Sequence, residues 1–145
     1  MPEVRELPAG ETARAARALL ELRPHMRTAE ALVERVDAVQ RAHGYRVAGS
    51  FEPGEEEASA AAGFRVIEML AWGRGLYVDD LVTLPEARGR GHADALFAWL
   101  DEEAKRLGCD EFHLDSGVGP ERADAHRFYF RHGMRIASYH FARGV

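Results

Sequence analysis

Residues 76–93, LYVDDLVTLPEARGRGHA, run from an apolar segment through a turn rich in glycine and arginine into a different periodicity. The apolar segment contains many residues that favour strands, which predicts a strand over residues 76–84. From Gly91 onward, apolar residues recur at helical spacing, which predicts a helix as far as residue 107. A strand that leads through a short turn into a helix is typical of an α/β protein.

The same patterns predict alternating strands and helices on both sides of this stretch. Further strands are predicted over residues 4–7, 45–51, 58–72, 111–114 and 134–141, and further helices over residues 11–22, 28–44 and 120–131. Thr28 is a suitable N-cap for the second helix, and Gly44 is a suitable stop. The predicted order is β-α-α-β-β-β-α-β-α-β, in one domain over residues 1–145 of the α/β (α+β) class.

The order of these elements predicts where a ligand would bind. Three successive strands over residues 45–84 are joined by short connections, which predicts an antiparallel meander. The strand-helix-strand unit over residues 76–114 predicts a right-handed crossover that places its two strands parallel. Ligands of such sheets bind beyond the carboxyl ends of the strands. The turn at residues 85–93 is therefore the predicted ligand site.

Composition limits the kind of protein that this chain encodes. It has 145 residues, a formal net charge of -5 and one cysteine, Cys109. An acidic balance argues against a nucleic-acid-binding protein, and a lone cysteine suits a reducing compartment. The N-terminal residues lack the apolar core of a signal peptide, and no apolar run approaches the roughly 20 residues that span a bilayer. We therefore expect a cytoplasmic protein that does not associate with membranes.

The turn itself has the features of a phosphate site. Gly89 and Gly91 allow the backbone to approach a ligand closely, and the first N–H groups of the following helix lack internal acceptors. The helix dipole favours an anion there, and Arg88 and Arg90 add positive charge. The turn lacks the endings of a Walker A loop and of the dinucleotide-binding fingerprint. Two interpretations are open: a pyrophosphate site, or a glycine-rich connection with two exposed arginines.

Three motifs, which follow one another along residues 81–134, resemble those of the GNAT family of N-acetyltransferases. Arg88-x-x-Gly91-x-Ala93 is similar to the family signature Q/R-x-x-G-x-G/A. The strand segment LVTLP before it, at residues 81–85, and the helix motif A-x-x-F-Y-x-x-x-G-M, at residues 125–134, also resemble the family. The resemblance implies the GNAT fold, a mixed and mostly antiparallel central sheet of about six strands flanked by four helices.

The resemblance also implies a site for acetyl-CoA. It places the pantetheine arm against the backbone of the strand, and the pyrophosphate in the turn. Arg122 lies where many relatives carry an asparagine that contacts the cofactor, and Ser116 is a second candidate for that role. The implied cofactor-binding residues are Leu81, Val82, Thr83, Arg88, Gly89, Arg90, Gly91, His92, Ala93, Ser116 and Arg122.

For the chemistry, the resemblance singles out one tyrosine and two aspartates. Tyr129 matches the family tyrosine that protonates or hydrogen-bonds the leaving sulfur. Asp79 matches a position where several GNAT enzymes carry a carboxylate that binds or deprotonates the amine, and Asp80 matches a common aspartate beside it. Adjacent strand residues point to opposite faces unless a bulge intervenes, so we expect Asp79 and Asp80 not to act as a simple pair. Glu68, on the preceding strand, is a third candidate.

The resemblance implies an N-acetyltransferase in which an amine attacks acetyl-CoA directly. The sequence leaves the acceptor open, as a small-molecule amine or a peptide amine. One alternative is an acyl-CoA-binding sensor without turnover. A nucleotide-binding or RNA-binding domain is a weaker alternative, because the chain lacks a basic balance and interleaved exposed aromatic residues.

Two further expectations concern metals and partners. None of the seven histidines has the spacing of a zinc site, so no metal is expected. The single strand predicted after Gly133 leaves a sheet edge that a second copy could cover, and a two-fold homodimer is the commonest oligomer. We therefore expect a homodimer.

Overall fold

The computed structural model describes residues 1–145 and contains one sheet of five strands and four helices. The strands are β1 (Glu3–Leu7), β2 (Arg46–Phe51), β3 (Ala60–Met69), β4 (Gly73–Thr83) and β5 (Glu111–Leu114). The helices are α1 (Ala13–Leu22), α2 (Ala29–Arg35), α3 (His92–Arg106) and α4 (Ala123–Arg131). The α/β class is confirmed. None of the helices combines the length and the apolar character that crossing a bilayer requires.

The strands lie in the order β1-β2-β3-β4-β5, and the pairs β1–β2, β2–β3 and β3–β4 are antiparallel. The predicted meander over β2, β3 and β4 is therefore confirmed. Helix α3 connects β4 and β5, which are neighbours in the sheet. The chain forms two compact units, Met1–His113 and Leu114–Val145. The single domain over residues 1–145 stays a prediction.

In the first unit, one face of the sheet packs on helices α1 and α2. Leu7, Val47 and Ala61 from the strands are fully buried in the same cluster as Ala15 and Leu19 from α1. This arrangement follows from the sequence, because apolar residues alternate along the strands and recur at helical spacing along α1.

Helix α3 belongs to a second group of buried side chains. Leu96 and Leu100 of α3 are fully buried, and Trp99 contacts the ring of Phe64 of β3 edge-on at a centroid distance of 5.8 Å. Phe64 follows Gly63 in the strand, so its side chain points away from the face that Gly63 occupies.

The second helical region begins and ends where the sequence predicts, but it is irregular between these points. The Thr28 hydroxyl accepts a hydrogen bond from the Ala31 N–H at 3.1 Å, which confirms the N-cap. After α2 the backbone continues as a π-helical segment, Val36–Gln40, and a 3-10 turn. Gly44 then ends the region in the left-handed conformation, with φ at +88°. The sequence alone gives no sign of the π-helical segment.

Strand β4 contains a bulge beside its pair of aspartates. Gly63 of β3 lies opposite Asp80, whereas the next residue, Phe64, lies opposite Val78. Asp79 is therefore an extra residue in β4. Bulges bend the strand, increase its local twist and interrupt the alternation of side chains.

The second unit contains α4 but not the predicted last strand. A 3-10 turn, Pro120–Arg122, leads into α4, and Gly133 follows the helix with φ at +79°. The predicted strand over residues 134–141 is wrong, because these residues form neither helix nor strand. The sheet therefore has five strands instead of about six. A strand exists only through hydrogen bonds to a neighbouring strand, and none pairs with this segment.

Candidate functional site

The turn between β4 and α3 has the backbone geometry that an anion site needs. Gly89 and Gly91 adopt left-handed conformations, with φ at +79° and +85°. Helix α3 begins directly after them, and the Ala95 N–H donates to the Gly91 carbonyl at 3.0 Å. The N–H groups that precede Ala95 in the helix have no such acceptor one turn earlier. They form the positive end of the helix dipole and are suited to bind a phosphate.

The side chains of the turn differ in their availability. Arg88 is exposed and has no carboxylate within ion-pair distance, so its charge is open to a ligand. Arg90 instead pairs with Glu52 at 3.3 Å. His92 is buried, and its two ring nitrogens lie 2.7 Å from the Ser50 hydroxyl and 3.0 Å from the Glu52 carboxylate. Its imidazole therefore secures the start of α3 against β2, which leaves only its backbone N–H for the predicted role in ligand binding.

Strand β4 offers a second set of backbone groups. It has 11 residues, whereas its neighbour β5 has four. The Asp110 N–H donates to the Arg74 carbonyl at 2.7 Å, so β5 starts beside the beginning of β4. Leu81 to Thr83 are paired with β3 on one edge and with no strand on the other. That edge can hydrogen-bond an extended ligand, which is the role predicted for Leu81, Val82 and Thr83.

The bulge brings both aspartates of β4 into one cluster of polar side chains. Asp79 is held by Arg65 of β3, whose Nη2 lies 2.7 Å from Oδ2 and whose Nε lies 3.0 Å from Oδ1. The Arg65 guanidinium also lies over the Tyr45 ring, at 5.6 Å from its centre. The alternation that would have separated the two aspartates is therefore absent at this position.

Asp80 occupies the more enclosed place in the cluster. Its Oδ2 accepts a hydrogen bond from the Tyr45 hydroxyl, and its Oδ1 accepts one from the Arg23 Nε, both at 2.7 Å. Burial raises the pKa of Tyr45 well above its usual range, and the negative charge of Asp80 adds to the effect. A Cβ atom at Gly63, opposite Asp80, would overlap the Tyr45 hydroxyl. Gly63 thus leaves the space through which Tyr45 reaches the carboxylate.

Asp80 also lines a cavity of about 490 Å³ in the first unit. Leu19, Met26, Leu32 and Val36 form its apolar lining. Its other lining residues are Arg23, His25, Arg35, Gln40, Tyr45 and Asp80. A cavity in which apolar side chains stand beside polar groups that can orient a ligand is suited to a small molecule.

The other predicted carboxylates lie outside this cavity lining. Asp79 faces Arg65, as described above, and Glu68 pairs with Arg74 at 2.7 Å on an exposed part of β3. Sequence reasoning missed Arg23, Arg35 and Tyr45, although all three line the cavity. The sequence offered one signal for this cluster, the glycine Gly63 within an apolar strand. Such a glycine often marks a bulge or a position that another group approaches closely.

The predicted residues Ser116, Arg122 and Tyr129 lie in the second unit. Tyr129 lies in α4, and burial raises the pKa of its phenol although the positive charge of Arg122 opposes the effect. Arg122 precedes the first residue of α4. The Ser116 hydroxyl lies 3.1 Å from the Nε2 of His126. A tyrosine phenol is protonated at neutral pH and can donate a hydrogen bond.

Comparison with known proteins shows a similarity to N-acetyltransferases. The model of the acetyltransferase (GNAT) family matches residues 15–134. Uncharacterized N-acetyltransferase YhdJ of Bacillus subtilis is 31% identical over 117 residues, which cover 80% of each chain. An aminoalkylphosphonate N-acetyltransferase of Salmonella typhimurium is 35% identical over 68 residues, which cover 47% of this chain and 43% of that protein.

A solved structure extends the similarity to the whole fold. Aminoglycoside N-acetyltransferase AAC(6')-Iy, solved in complex with CoA, superposes with a TM-score of 0.80 at 17% identity. The superposition covers 99% of this chain and 95% of that one. At this identity the similarity concerns the fold alone.

Proposed function

The chain belongs to the acetyltransferase (GNAT) family, and from that premise we propose that it transfers an acetyl group from acetyl-CoA to the nitrogen of a small amine. The observation that carries the proposal is the placement of Asp80 in a cavity, on the same strand that leads into the glycine turn. The name of one relative supports it, because that protein is an aminoalkylphosphonate N-acetyltransferase.

The residues present fit acetyl-CoA. The N–H groups at the start of α3 and the unpaired charge of Arg88 suit the pyrophosphate, with Gly89 and Gly91 providing the backbone conformation. The free edge of β4 suits the amide groups of the pantetheine arm. Acetyl-CoA, when bound, supplies the activated acetyl group and a sulfur leaving group.

We assign the amine to Asp80 instead of Asp79. An amine attacks only in its neutral form, so a group beside it must hold the ammonium and accept a proton. Asp80 lies in the cavity lining, whereas Asp79 is held by two nitrogens of Arg65. A carboxylate has about four acceptor sites, so Asp80 can bind an ammonium while it keeps its bonds to Arg23 and Tyr45.

Tyr129 is the proposed general acid. As the new C–N bond forms and the C–S bond breaks, the sulfur gains negative charge that a proton donor can neutralise. A tyrosine phenol is protonated at neutral pH, so Tyr129 can donate a hydrogen bond to the sulfur as charge develops there and can transfer its proton to it. The Tyr129 phenolate then takes up a proton, which restores the phenol, and the proton that the nitrogen loses as it becomes an amide balances this uptake.

The test is a panel of amines assayed by release of the free thiol from acetyl-CoA. With an accepted amine, Tyr129→Phe should lower kcat by roughly 10²-fold and leave acetyl-CoA affinity nearly unchanged. Asp80→Asn should lower kcat/KM for the amine by a similar factor. Asp79→Asn is the matched control, since it removes one carboxylate from the same strand outside the cavity.

Each possible result has a definite meaning. Loss of activity in Asp79→Asn with normal activity in Asp80→Asn would transfer the role to Asp79. Tight binding of acetyl-CoA without turnover of any amine would indicate an acyl-CoA sensor and not an enzyme. Absence of acetyl-CoA binding would overturn the proposal.

A further inference from the structure

The cavity beside Asp80 has an uneven distribution of charge. Arg23 is compensated, because its Nε contacts Asp80 at 2.7 Å. Arg35 has no carboxylate within ion-pair distance, and its Nε donates to the Gln40 side-chain oxygen at 3.1 Å. His25 likewise has no acidic partner. The lining therefore contains two guanidinium groups and one carboxylate, in a protein whose formal net charge is -5.

The π-helical segment is what brings Arg35 to this position beside Gln40. Residues five apart in an α-helix lie about 140° apart around its axis, so their side chains diverge. In a π-helix the hydrogen bonds join residues five apart, which brings such residues to the same side of the helix. Arg35 directly precedes the segment Val36–Gln40, and its guanidinium contacts the Gln40 amide. Departures of this kind from α-helical geometry are frequent at functional sites.

A cation alone is a poor match for this cavity. Asp80 attracts an ammonium, but the charge of Arg35 repels it, and Arg35 gains nothing from a ligand without an acceptor group. An acidic group on the ligand would compensate Arg35 and could bind its planar guanidinium through two parallel hydrogen bonds.

We propose that the acceptor is a small amine that also carries an anionic group, a carboxylate or a phosphonate, and that Arg35 binds this anion while the amine faces Asp80. The proposal rests on the acetyltransferase function proposed above and names the substrate class of the same site. Gln40 is a positioning residue, because it holds the Arg35 Nε and leaves the two terminal nitrogens of the guanidinium for the ligand.

The first experiment measures kcat/KM for amines of equal length that differ at the far end. The probes are 3-aminopropanoate, 2-aminoethylphosphonate, 3-aminopropanol and 1,3-diaminopropane. The wild type should favour at least one of the two anionic amines over the alcohol and the diamine by tenfold or more, and the ratio between the carboxylate and the phosphonate identifies the preferred anion. Equal or better use of the alcohol and the diamine would overturn the inference and leave the acetyltransferase function intact.

Variants of Arg35 test the residue itself. Arg35→Gln should lower kcat/KM for the favoured anionic amine by roughly tenfold to a hundredfold, as expected for hydrogen bonds to a charged group, and leave the alcohol unaffected. Arg35→Glu should reverse the preference towards the diamine. Arg143→Gln is the matched control, because it removes the same charge from an exposed residue outside the cavity lining and should change nothing.

A binding measurement keeps the inference testable if no probe is acetylated. Calorimetry with the two anionic amines should show binding to the wild type and at least a tenfold weaker affinity in Arg35→Gln. Equal affinity in the two proteins, or no binding to the wild type, would overturn the inference. Failure of acetyl-CoA to bind would instead count against the proposed function.

Discussion

Single residues control the environment of Asp80. Tyr45 is buried, and its hydroxyl donates to the carboxylate at 2.7 Å. It reaches Asp80 only because residue 63 has no side chain, since a Cβ atom there would overlap the hydroxyl and part of the ring. Gly63 thus matters for the space it leaves and not for an unusual backbone conformation.

Gly63→Ala should displace the Tyr45 ring and remove its hydrogen bond to Asp80. The cost of overpacking together with the lost bond should lower the free energy of unfolding by about 2–3 kcal/mol. Urea denaturation measures this change, and kcat/KM for the amine should fall with it. Gly10→Ala is the matched control, because a Cβ atom at Gly10 meets nothing within 4 Å. Equal stability of the two variants would show that Tyr45 does not depend on this space.

At the scale of elements, the connection from β4 to α3 combines two requirements. The chain must turn sharply, which the left-handed glycines allow, and the helix must present its N–H groups to a ligand. A Cβ atom at Gly91 meets no other atom within 4 Å, so a substitution acts through backbone strain and through contact with the ligand. In the second helical region a local backbone conformation also positions a ligand-binding group, because the π-helical segment orients Arg35.

Gly91→Ala should weaken acetyl-CoA binding, and Gly91→Glu should weaken it more, because a carboxylate would lie beside the phosphates. The left-handed conformation costs an alanine about 1–2 kcal/mol, so both proteins should also lose stability. Calorimetry with acetyl-CoA measures the affinity.

Gly108 provides the control for this strain. It follows α3 at its other end with φ at +69° and open space around it. Gly108→Ala should therefore lose a similar amount of stability and keep its affinity for acetyl-CoA. Equal loss of affinity in the Gly108 and Gly91 variants would show that the effect is general strain and not a contact at the turn.

At the scale of the whole molecule, an ion network joins β1 and β2 to α3. Arg46 of β2 pairs with Glu6 of β1 at 2.7 Å and with Glu103 of α3. Arg106 also binds Glu103, at 2.7 Å. The hydrogen bond from Arg106, with that from Arg46, lowers the pKa of the Glu103 carboxyl to about 2 against the opposing effect of burial.

This shift predicts how stability depends on pH. Because the carboxyl has a lower pKa in the folded protein than its ordinary value of 4.5, its contribution is complete above that value and is lost as the pH falls towards 2. Glu103→Gln should therefore lower the free energy of unfolding by about 2 kcal/mol at pH 7, and the difference should shrink steadily below pH 4.5.

Urea denaturation at several pH values measures the effect. Glu102→Gln is the matched control, because Glu102 forms only an exposed pair with Lys105 at 3.0 Å, and it should cost less than about 0.5 kcal/mol at any pH. A difference between wild type and Glu103→Gln that stays constant down to pH 2 would contradict the role of the charge.

The homodimer stays a prediction, and the structure removes the argument that motivated it. That argument relied on a last strand over residues 134–141, which is not formed. Ile136, Tyr139 and Phe141 are nevertheless 75%, 86% and 91% exposed. Light scattering at micromolar concentration decides whether the chain associates.

The sequence by itself determined the features that depend on local backbone conformation. Thr28 marks a helix start because its side chain caps the helix, and Gly44, Gly89 and Gly91 mark left-handed turns because other residues are strained there. The turn between β4 and α3, and the family that it indicates, were therefore accessible from residue types and spacing alone.

Only the tertiary structure decided the features that depend on pairing between distant segments. Which aspartate lines the cavity follows from the register of β3 against β4, because the bulge exists only relative to the partner strand. Arg35 and Gln40 face one cavity because the helix departs locally from α geometry. The apolar pattern over residues 134–141 favours a strand, but no neighbouring strand supplies its hydrogen bonds, and a periodic sequence cannot supply that partner by itself.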